Sequence, residues 1–174
     1  MKIGIGIVFC LVVLAVSFPA GCRNAPSETA EIKTWAVNST SEVLTQSGVE
    51  ADGGVTSDGG GSLRLTATSP TTFRLFETGD IDIENSRLIY QARVKTQDVN
   101  GEVYLEMWCH FAGKGEFFSR ALHAPLSGSV DWTTQETPFS LRKGENPDNV
   151  KLNLVVSGTG TAWIDDIRLI RCSM

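Results

Sequence analysis

Between residues 62 and 170 the chain is a series of short runs in which apolar and polar side chains alternate, and none carries a helical period. The runs are SLRLTA (62–67), TTFRLFE (71–77), RLIYQARVKT (87–96), EVYLEMWCHF (102–111), SRALHA (119–124), TTQETPFSL (133–141), VKLNLVVS (150–157) and AWIDDIRLI (162–170), with an earlier strand expected near 32–37. DGGG at 58–61, Asn100-Gly101, Lys114-Gly115 and Asn146-Pro147-Asp148 supply turns between them. A strand sends successive side chains to opposite faces, so each run can bury one face and leave the other wet. Short strands of this kind, regularly punctuated, predict an all-β sandwich. Eight main strands in this order suit a two-sheet antiparallel jelly roll. The first, eighth, third and sixth runs are then expected in one sheet, and the second, seventh, fourth and fifth in the other.

The 174 residues are one domain's worth of chain once the N-terminus is set aside. MKIGIGIVFCLVVLAVSFPAGC has a positive start at Lys2, an apolar stretch from Ile3 to Phe18 and small residues before Cys22, the layout of a secretory signal. Its ending, Pro19-Ala20-Gly21-Cys22, resembles a bacterial lipobox. That resemblance implies cleavage before Cys22 and acylation of its thiol and new amino group. Residues 1–21 are then a lipoprotein signal peptide, 22–30 a short polar tether and 31–172 the sandwich. The expected location is the bacterial cell envelope, exported and lipid-anchored to a membrane. The net charge of −5 argues against nucleic acid as a partner. Of the remaining cysteines, Cys109 reads as a core thiol and Cys172 as a terminal one, too few for a disulfide framework.

The run 102–111 is the most informative. Val103, Leu105, Met107 and Cys109 share one face and are expected in the core. Tyr104, Glu106, Trp108 and His110 share the other, where Tyr and Trp are unusual for a solvated surface. In the run 150–157, Lys151 and Asn153 face out; in 71–77, Arg74 and Phe76 are expected to face out. The proposed sheet places these three runs side by side. Their outer faces would gather aromatic rings able to stack on a sugar and polar groups able to bind its hydroxyls. The alternative is a structural face, with Trp108 covered by a loop through Phe117 and Phe118.

Near the C-terminus Asp165 and Asp166 interrupt the apolar run AWIDDIRLI. Strands exclude Asp, and an unpaired buried carboxylate is costly. The pair therefore needs a partner, or a bulge or edge. A loop cap, or pairing with Arg168 or Lys95, would satisfy it.

From Gly61 to Leu169, the stretches GGGSLRLTA, LIYQARVKT, VDWTTQETPFSL and GTGTAWIDDIRLI resemble the jelly-roll carbohydrate-binding modules of the family 4, 9 and 22 type, in the wider galactose-binding-like group. The resemblance implies a non-catalytic module that binds a poly- or oligosaccharide on the concave sheet or in loops at one end. Trp108 and Tyr104 would stack on the sugar, and Arg74, Glu106, His110, Asn153 and Lys151 would bind its hydroxyls. It also implies a structural Ca2+, with Asp165 or Asp166 as ligand and Glu31 or Asp58 as weaker candidates.

No catalytic set emerges. His110 and His123 form no zinc motif, no GxSxG elbow is present, and DGGG lacks the Lys-Ser/Thr of a phosphate loop. The expectation is no enzyme. A protein-interaction or structural lipoprotein, using the same face against an envelope protein partner, is the competing reading.

Overall fold

The computed structural model describes residues 29–79 and 81–174. The signal peptide, Cys22 and most of the expected tether lie outside the described residues. The chain forms nine strands: β1 (Thr29–Trp35), β2 (Val49–Asp52), β3 (Ser62–Ala67), β4 (Thr71–Gly79), β5 (Ser86–Phe111), β6 (Gly115–Arg120), β7 (Leu126–Leu141), β8 (Asn149–Val156) and β9 (Thr159–Ser173). All pairings are antiparallel.

The strands make a two-sheet jelly roll through which β5 runs continuously. Its first half pairs with β9 on one side and β7 on the other. Its second half pairs with β8 and β6. One sheet is therefore β3-β9-β5-β7, extended by β2 beyond β3 and by β1 along the far part of β9. The other is β4-β8-β5-β6. These are the two sheets the run order predicts. The two runs expected at 87–96 and 102–111 are halves of one strand, which changes sheet around Asp98 and Gly101, both at positive φ. Here the backbones come very close. A Cβ on Gly158 would lie 1.7 Å from the Asn100 carbonyl oxygen, so only glycine fits.

The core lies between the sheets. Val103, Leu105, Met107 and Cys109 of β5 are fully buried, as are Val150, Leu152, Leu154 and Val156 of β8. Leu63 and Leu65 of β3 and Ile164 and Leu169 of β9 face them from the other sheet. Every strand except β6 contributes side chains to one core or packs against it. Cys109 and Cys172 are both free, and burial pushes the Cys109 thiol up to about 12.

Several local expectations are corrected. Phe76 does not face out. The register with β8 slips between Arg74 and Phe76, placing Phe76 opposite the inward Leu152. Leu75 is the extra residue of a bulge, and Phe76 turns into the core to stack on Trp35 at 5.5 Å. The fifth strand is not 119–124 but β6, at 115–120. Phe117 and Phe118, expected in a covering loop, are therefore strand residues, opposite Cys109 and Trp108. Thr29 and Ala30, assigned to the tether, begin β1. The short strand β2, VEAD, is not among the expected runs; its four residues are too few to stand out.

Candidate functional site

The outer face of the β4-β8-β5-β6 sheet carries an open depression of about 360 Å³. β4 supplies Thr72 and Arg74, β8 supplies Lys151 and Asn153, β5 supplies Glu106 and Trp108, and β6 supplies Glu116 and Arg120. Antiparallel register brings them together: Arg74 pairs with Asn153, Asn153 with Glu106, and Glu106 with Arg120. One residue from each of four strands thus forms a single row across the sheet.

Glu106 is the hub of this row. It is 4% exposed. Its Oε1 accepts the Trp108 indole N–H at 2.7 Å and the Asn153 amide N–H at 2.9 Å, and its Oε2 accepts the Arg120 Nε–H at 2.6 Å. Burial pushes the Glu106 carboxyl up, but these three hydrogen bonds and the Arg120 charge outweigh it and hold the group below its ordinary value. The carboxylate therefore stays charged, and it fixes the indole edge and the amide.

An aromatic wall stands beside the hub. Trp108 packs against Phe118 with ring centroids 4.9 Å apart, and the Arg120 guanidinium lies 4.4 Å over the Phe118 ring. Phe118 remains 50% exposed, and Trp108 is partly exposed. The indole is thus buttressed, not covered. The other two cations of the depression also face carboxylates: Lys151 bonds Glu116, and Arg74 lies 3.8 Å from Glu77. The Lys151 hydrogen bond holds the Glu116 carboxyl below its usual range.

Five of the seven residues expected to bind ligand line this depression: Arg74, Glu106, Trp108, Lys151 and Asn153. Two do not. Tyr104 sits further along β5 opposite Val155 and packs against the core. His110 lies at the other end of the strand, where its Nδ1 bonds Asp148. Arg120, Glu116 and Thr72 were not anticipated, and Phe118, expected in a covering loop, packs beside Trp108 from β6 instead. GEFFSR, with adjacent Phe residues, carries no alternation, and the placement of β6 depends on pairing with β5.

The carboxylates considered for calcium are arranged differently. Asp165 is 2% exposed; its Oδ2 accepts the Ser57 N–H and hydroxyl, each at 2.8 Å, and the Thr56 hydroxyl at 3.3 Å, while Oδ1 accepts the Asp166 N–H. Asp166, at positive φ in a register slip of β9 against β5, bonds Arg168 at 2.7 Å. Asp58 accepts from Thr56 and the Gly60 N–H within its own turn. Glu31, at the outer part of β1, lies 4.0 Å from Arg168. The oxygens of Asp165 already hold N–H and O–H donors, and Asp166 holds a guanidinium. Among the described residues no three of His, Cys, Asp and Glu cluster as a metal site. The aspartate pair is accounted for by a loop cap, a bulge and Arg168. Lys95 pairs instead with Asp131.

No family model matches the chain, and no curated protein matches it. Solved structures do. The chain is similar to the CBM22-1–GH10 modules of Clostridium thermocellum xylanase 10B in complex with xylohexaose, at 12% identity and a TM-score of 0.61. That match covers 81% of this chain but only 28% of the other. It is also similar to the CBM22-1 xylan-binding domain of Paenibacillus barcinonensis Xyn10C, at 12% identity and a TM-score of 0.57, covering 86% and 97% of the two chains. A family 16 carbohydrate-binding module matches at 13% identity and a TM-score of 0.53, covering 76% and 95%. At these identities the likeness establishes the fold: the jelly-roll sandwich that carbohydrate-binding modules use.

Proposed function

We propose that this protein is a non-catalytic carbohydrate-binding domain that holds a glycan in the depression on the β4-β8-β5-β6 sheet. The observation that carries this reading is the row Arg74, Asn153, Glu106 and Arg120 beside the Trp108–Phe118 pair. A sugar offers an apolar ring face and a rim of hydroxyls. The depression offers rings for the first and preorganised polar groups for the second. Solved structures of the same fold, a xylan-binding domain and modules in complex with xylohexaose, support this choice among the many roles a sandwich can host. The partly exposed Trp108 favours a sugar over a purely structural face.

The sequence of residues 1–22 supports a surface lipoprotein, anchored through Cys22 in the cell envelope. From Cys22 to Thr29 the chain reaches at most about 25 Å at full extension, so the domain would work close to its membrane. Binding by an open face should be weak, because polar groups must give up water for modest contact.

The test is a titration of residues 23–174 against xylan, β-glucan, galactan and bacterial envelope polysaccharides, with and without calcium. Trp108→Ala serves as the control. Binding that Trp108→Ala abolishes in a folded domain is expected. No binding across the panel would sink the glycan reading and leave a protein partner on this face. Palmitate labelling of cells expressing the full chain, lost in Cys22→Ala, tests the anchor.

A further inference from the structure

The floor of the depression holds a polar atom without a partner. Asn153 is 5% exposed, and its Oδ1 has no hydrogen-bond partner among the described residues. Buried amide oxygens are normally paired. A carboxamide can turn over by rotation, so its surroundings decide which end points where. Around Asn153 they allow only one orientation. The amide nitrogen donates to Glu106 Oε1 at 2.9 Å, and that same oxygen takes the Trp108 indole N–H. Turned over, Asn153 would set its carbonyl oxygen against a carboxylate oxygen at that distance, acceptor against acceptor. Glu106 therefore holds Oδ1 away from itself.

We infer that Glu106 is a positioning residue for glycan recognition: it locks the Asn153 carboxamide so that Oδ1 accepts a hydrogen bond from one hydroxyl of the bound sugar. The inference rests on the glycan reading of this face and assigns Glu106 and Asn153 different parts in it. Glu106 does not touch the sugar, because its two oxygens already hold three donors. Asn153 supplies an acceptor whose direction is fixed, so it selects sugars by the presence and orientation of a hydroxyl. Charge contributes little to the selection, since Arg74, Arg120 and Lys151 each face a carboxylate. Oδ1 is closed to solvent in the free protein. Arg74, its cross-strand partner, has a side chain 57% exposed.

The experiment follows side-chain N–H resonances of 15N-labelled residues 23–174 during titration with xylohexaose, cellohexaose and β-1,4-galactotriose. It adds Asn153→Ala, Glu106→Met, which removes both carboxylate oxygens, and the double variant. The expected result has three parts. The oligosaccharide that shifts the Trp108 indole also shifts the Asn153 carboxamide. Asn153→Ala and Glu106→Met each weaken binding about tenfold or more, as one lost hydrogen bond would. The double variant loses less than the product of the two single losses, since with no amide to orient, Glu106 would hold only the Trp108 indole and Arg120. A purely structural or direct-contact Glu106 would instead give losses that multiply. An oligosaccharide that shifts the Trp108 indole but binds Asn153→Ala as well as the wild type overturns the inference and leaves the glycan reading standing. So does a double variant whose loss is the product of the two single losses. No indole shift with any of the three probes overturns both. If Glu106→Met does not fold, the wild-type Asn153 carboxamide and Asn153→Ala decide the matter, and their indifference to a bound oligosaccharide refutes it.

Discussion

Replacing Glu106 by Gln tests whether a buried carboxylate holds this face together. The Gln carbonyl oxygen can take over from Oε1 and keep the Trp108 and Asn153 donors, at 2.7 and 2.9 Å. Its NH2 must then occupy the Oε2 position, facing the Arg120 Nε–H at 2.6 Å, donor against donor. The variant loses one charge-assisted hydrogen bond, about 1.5–3 kcal/mol, and weakens the other two by removing the charge. Arg120 is 36% exposed and can turn to water, which limits the penalty. The expected destabilisation is about 2–3 kcal/mol, or about 5–10 °C in melting temperature for a domain of this size. Urea unfolding at pH 7 measures it directly. The pH dependence adds a second check. The carboxyl is held below its ordinary value in the fold. The stability it adds is therefore fully present above the unfolded glutamate value near 4.3 and lost as pH falls through the lower folded value. The gap between wild type and Glu106→Gln should narrow over that acid range. A loss below about 0.5 kcal/mol at pH 7, or a gap that does not change on acidification, would refute the hub.

Three further outcomes are expected. Tyr90 is fully buried with its hydroxyl unpartnered among the described residues, and burial alone pushes its phenol up; Tyr90→Phe should hold or raise stability by about 1–2 kcal/mol, and a loss in thermal unfolding would reveal a partner. Asp165→Ala removes the acceptor of four hydrogen bonds and should cost about 2–4 kcal/mol, with faster proteolysis near Ser57; unchanged stability would mean that the 56–58 turn holds itself. Alkylation at pH 8 should label Cys172 and spare the native Cys109, whose thiol burial raises to about 12; equal labelling would show that the core opens.

The sequence by itself determined the fold class, the division of strands between two sheets and the inward set on β5 and β8. These follow from the pleat: two-residue alternation is a local property of the chain, and an apolar face must be buried wherever the strand ends up. It also placed Arg74, Glu106, Trp108, Lys151 and Asn153 on outward positions of strands that become neighbours. Only the tertiary structure decided the rest. Phase can slip where a partner strand forces a bulge, which is why Phe76 turned inward and Asp166 left the ladder. The position of β6 depends on pairing with β5, so Glu116 and Arg120 reached the depression unannounced. The role of Glu106 depends on donors 2, 14 and 47 residues away, and that of Asp165 on hydroxyls more than 100 residues earlier. Alternation says which way a side chain points. What it meets there is set by register between strands, a long-range quantity that local pattern does not carry.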